Sequence, residues 1–373
     1  INSNRNNPII NIRSFGENSD VVSENVLEFI KGANSQKVAS CVKHFPGHGD
    51  TETDSHISMP ILNKSIEELE KLELIPFKKA IENAVKSIMV GHLAVPSIDD
   101  SNTPASLSKK IINDFLINKM NYNGIVITDA LDMHAISDNY SSADAVIMTL
   151  EAGANIALMP KDVLSSLLKL EEMIESDNSF REKIINSYSK IYNLKRWCGL
   201  ILRFAQLEKY SKIFLEHQKL ALKVAVDAIE IKGNKNLLPI DEKVNFAGFA
   251  YIQRDADLQS GSRFFTMLSQ ATENDCDYAF ISDEITEEQI ADFSEGIKDA
   301  EIVFLVVFMK AVAFKGTIKP TEKLTHIFNK LKSNKKTVLI LFGNPYLEDI
   351  VEYDLLIKTF SDSFASLAAA VVK

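Results

Sequence analysis

The sequence predicts an α/β protein in two domains, each built from parallel strands joined by crossover helices. Three observations carry that prediction. Short, almost wholly apolar runs recur along the chain, each about as long as a strand buried on both faces. Helical stretches with capping residues fall between them, and repeated strand–helix units of this length imply parallel pairing. The alternation gives way to long helical sequence and then restarts, which divides the 373 residues into two regions.

In the first region, from about Lys37 to Pro160, the strand candidates are Val38–Val42, Ser87–Val90, Gly124–Thr128 and Asn155–Met159. Ser65-Ile66-Glu67-Glu68 is a capping box that opens a helix, which Pro76 should kink or stop. Ser108 can cap a second helix running to about Met120. Ser141 or Ser142 can cap a third, which Gly153 closes. Four strands are fewer than the eight of a closed (β/α)8 barrel. The region is therefore either an open sheet or a barrel whose first strands lie outside this sequence. Helical stretches from Ser179 to about Trp197 and from Tyr210 to Ala228 lead to the second region. Its strand candidates are Ala228–Ile231, Val244–Ala250, Tyr278–Ile281, Ile302–Phe308, Thr337–Phe342 and Leu355–Phe360. Helices are expected near Ser260–Gln270, Thr286–Ala300 and Pro320–Lys332, giving a second α/β domain on an open sheet.

Composition narrows the function. With 46% hydrophobic and 25% charged residues the chain is neither disordered nor fibrous. A net charge of −10 argues against a protein that reads a nucleic-acid backbone, which needs a basic face. The longest apolar run, Ile302 to Met309, is far short of the roughly 20 residues that span a bilayer. Cys41, Cys198 and Cys276 have neither metal-ligand spacing nor the makings of a disulfide framework. No export signal is visible, and the chain starts without an initiator Met. Both the bacterial cytoplasm and, with a lost export signal, the periplasm or cell envelope remain open.

Three of the seven histidines fall within the segment Lys43-His44-Phe45-Pro46-Gly47-His48-Gly49-Asp50-Thr51-Glu52-Thr53-Asp54-Ser55-His56. It follows the first strand candidate directly, and active sites of parallel α/β proteins form at the C-terminal ends of strands. One reading is a metal site drawing on His44, His48, Asp50, Asp54 and His56. Pro46, Gly47 and Gly49 interrupt the helical spacing such sites use, and Lys43 would repel a cation. The other is acid–base catalysis by Asp54 and His56, which in an extended segment emerge on one side, where a carboxylate can orient an imidazole. A partner for that chemistry is Asp129, the carboxylate that ends the strand Gly124–Thr128. His92, after Gly91, ends another strand in the same way.

Lys43 to His56, together with Ile127-Thr128-Asp129-Ala130-Leu131-Asp132-Met133, closely resembles the β-N-acetylglucosaminidases of glycoside hydrolase family 3. The likeness runs from about Asn6 to Trp197, through Ile12-Arg13-Ser14-Phe15-Gly16, Gly91-His92 and Pro104-Ala105-Ser106-Leu107-Ser108. The part after about Ala228 resembles, through weaker motifs such as Phe342-Gly343-Asn344-Pro345, the second domain of two-domain members. The resemblance implies a TIM-like (β/α)8 barrel and a retaining exo-β-N-acetylglucosaminidase acting on peptidoglycan- or chitin-derived glycans. It implies Asp129 as nucleophile, His56 as acid/base with Asp54 as its dyad partner, Lys43, His44 and Arg13 as sugar-binding residues, and His92 as a pocket residue.

No cofactor is implied, and the implied partner is a small carbohydrate containing N-acetylglucosamine. Relatives carry an earlier segment with the first barrel strands, and nothing before Arg13 matches it. The expected organisation is a barrel domain over residues 1–198, incomplete at its N-terminus, a helical linker over 199–227 and an α/β domain over 228–373. Other functions compatible with the sequence are phosphorolysis in place of hydrolysis, a metal-dependent hydrolase using His44, His48 and His56, and a sugar-binding protein without turnover.

Overall fold

The computed structural model describes residues 1–53, 59–200, 210–240, 244–312, 318, 320–332 and 334–373. It divides into one unit built on Ile1–Ala205 and another on Gln206–Ala311 and Ile318–Lys373. In the first unit, β1 (Cys41–Phe45), β2 (Ser87–Val90), β3 (Ile125–Ala130) and β4 (Ile156–Leu158) are all parallel and lie in the order β1-β2-β3-β4. Neighbours in space follow neighbours in sequence without reversal. A doubly wound sheet reverses at a switch point; a TIM-like barrel wall does not. The first unit has the TIM-like α/β arrangement.

Local chemistry accounts for the elements between the strands. Ser65 accepts from the Glu68 N–H while the Glu68 carboxylate accepts from the Ser65 N–H, and helix Ile66–Lys71 follows. Pro76 does not end that helix. It lies in the first turn of a new one, Leu74–Glu82, where a missing N–H costs nothing. Ser108 Oγ accepts from the Ile111 N–H at the head of Lys110–Lys119, whose hydrogen bonding is of the wide π type. Ser141 caps Ser142–Ala152, and Gly153 ends that helix at φ 109°. The first strand starts three residues later than the apolar run Val38–Val42 implied. Val38 closes the C-terminal turn of helix Ser19–Ser35 through its N–H to Ala33, and pairing with β2 begins only at Cys41.

The second unit holds β5 (Glu230–Gly233), β6 (Phe246–Ile252), β7 (Asp277–Ile281), β8 (Ile302–Met309), β9 (Lys336–Gly343) and β10 (Leu355–Lys358) in the order β5-β10-β9-β8-β6-β7. All pairs are parallel except the edge pair β5–β10. Successive residues of β8 enter opposite cores. Val303, Leu305 and Val307 face one side, while Phe304, Val306 and Phe308 face the other. Helix Tyr210–Ala228 packs against Phe364–Val372 of this unit. Asp257 is buried in the first turn of helix Asp255–Thr272 and paired with Arg254 at 2.6 Å.

Candidate active site

The C-terminal ends of β1 and β3 bring together two groups far apart in sequence. Phe45 is fully buried against Phe77 and Phe115, which fixes the end of β1 and with it the preceding His44. β3 ends at Ala130, so Asp129 projects at the strand terminus, and its Oδ2 lies 3.5 Å from His44 Nε2. The other carboxylate oxygen, Oδ1, accepts from the Ala130 N–H at 2.9 Å. Burial pushes the His44 pKa down, so the ring is neutral at pH 7. The Asp129 carboxyl lies below its ordinary range: burial opposes its charge but is outweighed by His44, His92, the Ala130 N–H and Lys43. A neutral His44 cannot supply its part of that field. The Ala130 N–H holds one carboxylate oxygen whatever the charge on His44.

The loop after β1 is fastened from several sides. Gly47 has φ 142°, and a Cβ there would stand 2.7 Å from the Glu73 side chain, so only glycine allows the loop to sit against the next helix. Asn7 donates its side-chain amide to the His48 carbonyl at 2.7 Å. Thr51 Oγ1 donates to that same carbonyl at 3.1 Å, so its contact with His48 Nδ1 at 2.8 Å requires the proton on the ring nitrogen. Asp50 pairs with Lys64 at 2.7 Å, and Lys64 in turn pairs with the buried Glu73 at 2.5 Å. The chain is held again downstream, where Leu62 donates to the Ala94 carbonyl and Ala94 to that of Pro60.

Arg13, Lys43, His44 and His48 line one cavity of about 270 Å³, whose remaining wall includes Val22, Phe29 and Phe77. Arg13 donates from its guanidinium to the Ile9 carbonyl at 2.9 Å. Lys43 has no ion-pair partner among the described residues. Asp54 and His56 lie outside the described residues. Asp50 is engaged by Lys64, and among the described residues no three metal-ligating side chains converge. His92, expected as a pocket residue, is 1% exposed and sits with Nδ1 at 2.7 Å from Ser106 Oγ and Nε2 at 2.8 Å from the Ala130 carbonyl. Ser106, Lys64 and Glu73 are site-building residues that sequence reasoning did not single out. The signal for Ser106 lay in the Pro104–Ser108 stretch. Lys64 and Glu73 carry no local mark. No helix among the described residues is long and apolar enough to cross a membrane.

Comparison with known proteins places the chain in a family. The family model described as "Glycosyl hydrolase family 3 N terminal domain" matches residues 1–194. The chain is similar to "Beta-hexosaminidase A" of Pseudoalteromonas piscicida, 33% identical over 260 residues, which cover 64% of this chain and 44% of that protein. It is also similar to "Beta-hexosaminidase LpqI" of Mycobacterium tuberculosis, 33% identical over 195 residues, half of each chain. The match therefore spans half or less of these curated relatives' own length. Among solved structures, the glycoside hydrolase family 3 β-N-acetylglucosaminidase from Paenibacillus sp. str. FPU-7 shares the fold with a TM-score of 0.86 at 24% identity, over 100% of this chain and 72% of that one. With the family match extending over more than half of its length, the chain belongs to glycosyl hydrolase family 3.

Proposed function

We propose that this protein is a retaining exo-β-N-acetylglucosaminidase that removes terminal N-acetylglucosamine from peptidoglycan- or chitin-derived glycans. The observation that carries the reading is Asp129, an ionised carboxylate at the end of β3 with one oxygen held by the Ala130 N–H and the other beside His44. Relatives named β-hexosaminidases support the substrate class.

In the proposed first step an Asp129 oxygen bonds to the anomeric carbon as the glycosidic C–O bond breaks. The departing oxygen takes a proton from His56, which Asp54 orients. In the second, water attacks the anomeric carbon, gives its proton to His56, and the bond to Asp129 breaks, restoring both groups. Retention ordinarily uses two carboxyl groups about 5–5.5 Å apart, and here an imidazole takes the place of one. Arg13, Lys43 and His44 bind sugar hydroxyls in this scheme. A neutral His44 beside Asp129 can donate without competing for its negative charge.

The test is release of p-nitrophenol from its β-N-acetylglucosaminide by the wild-type protein and by His56→Ala. The good leaving group spares the first step, so the variant should show a burst followed by slow turnover. A variant that matches the wild type at every pH removes His56 from the mechanism. Sugar 1-phosphate formed on adding phosphate would identify a phosphorylase instead.

A further inference from the structure

We propose that Ser106 and His92 form a positioning pair that sets the direction of the Asp129 carboxylate. This rests on Asp129 being the nucleophile, as proposed above.

The pairing of β2 with β3 ends at Val90 and Thr128. Continued by two residues it would set His92 opposite Ala130, but the chain turns away, and the His92 side chain replaces the missing ladder bond. A carbonyl oxygen can only accept, so the Ala130 contact at 2.8 Å places a proton on His92 Nε2. In the neutral ring Nδ1 is then an acceptor, and the Ser106 hydroxyl at 2.7 Å donates to it. Ser106 is fully buried in the turn Ala105–Leu107, itself held by the Ala105 N–H on the Leu93 carbonyl and by Thr149 Oγ1 on the Ser106 carbonyl. The pair therefore ties a rigid turn to Ala130, the residue whose N–H holds Asp129 Oδ1.

On the opposite side of β3 the ladder is also irregular. Its register with β4 shifts between Ile127 and Ala130, where Leu158 donates to Thr128 Oγ1, and pairing resumes at Ala130 opposite Leu158. The end of β3 thus has a shifted ladder on the β4 side and none on the β2 side, where the His92 ring is the side-chain strut. Both ring nitrogens face protein groups, so a positioning role accounts for His92 without a sugar contact. The same pair gives the Pro104–Ser108 motif a task.

The test follows the rate at which an activated 5-fluoro N-acetylglucosaminyl fluoride attaches to Asp129, read by mass spectrometry of the full-length protein and its peptides. Inhibition by free N-acetylglucosamine is measured alongside. His92→Leu should label about 10²-fold more slowly, the scale expected when a reacting group is misdirected by about an ångström, with the inhibition constant unchanged within about twofold. His92→Gln, which returns an N–H near the Nε2 position, should recover most of the rate. Ser106→Ala should slow labelling about tenfold, again without weakening inhibition.

Labelling of His92→Leu at the wild-type rate would overturn the proposal. So would a loss of inhibitor affinity in step with the loss of rate, which would return His92 to the sugar. If His92→Leu fails to fold, Ser106→Ala decides, and a wild-type rate there overturns the pair. A wild-type protein that turns over the sugar without labelling Asp129 refutes the nucleophile itself, and the pair's role falls with it.

Discussion

Replacing Lys64 by Met keeps the aliphatic stem and removes the charge that joins Asp50 to Glu73. Glu73 has a side chain only 2% exposed and lies 2.5 Å from that ammonium, whereas Asp50 is 30% exposed and can turn to water. The loss therefore falls on Glu73. Stranding one member of a buried ion pair costs about 3–5 kcal/mol. The variant should therefore lose about 3–5 kcal/mol at pH 7. Trp197, the one tryptophan, lies in the first unit, so urea unfolding followed by its emission reads the unit that contains Lys64. The absence of any deficit at pH 7 refutes the argument.

Other predictions follow from the same geometry. Gly47→Ala must hold an L side chain at φ 142° against Glu73, and should lose about 2–4 kcal/mol and most activity; an unchanged melting temperature would contradict the packing described. Asp129→Asn should lower kcat on the order of 10⁴-fold or more while folding normally, checked by circular dichroism beside the rate. His44 is held neutral by burial, so its folded pKa lies below the ordinary histidine value and stability falls as pH drops below about 6.5. His44→Asn should flatten the acid limb of the stability profile by about 2 kcal/mol between pH 6.5 and pH 5, and an identical slope in both proteins would exclude His44 as its source. Ser108→Ala removes a bond to Asp99 and the cap on Ile111, and should cost about 1–2 kcal/mol in the same urea assay.

The elements most legible in the sequence were those whose signals are local. The β8 run from Ile302 to Met309 is apolar throughout because both faces are covered, and its boundaries follow from composition alone. Ser65, Ser141 and Gly153 mark helix ends because capping satisfies or ends a helix within three or four residues. Helix Val163–Ser176 was not read from the sequence although Leu164, Leu167 and Leu168 recur at helical spacing, and those three side chains face outward. The first strand was placed too early because Val38 is as apolar as a strand residue but serves to close a helix.

The sequence by itself determined the chemistry available. It supplied a histidine- and glycine-rich segment directly after one strand and a carboxylate ending another, and a dense motif of this kind is readable without coordinates. Tertiary structure decided which of these residues meet and what each can still do. His44 and Asp129, 85 positions apart, come within 3.5 Å because β1 and β3 flank β2 in one parallel sheet. Asp50, a conceivable metal ligand in sequence, is occupied by Lys64. His92, a pocket residue by motif, reaches Ser106 and the Ala130 carbonyl. A side chain's type is set locally, but its free valences depend on which donors and acceptors the fold brings within about 3 Å, and those partners come from distant parts of the chain.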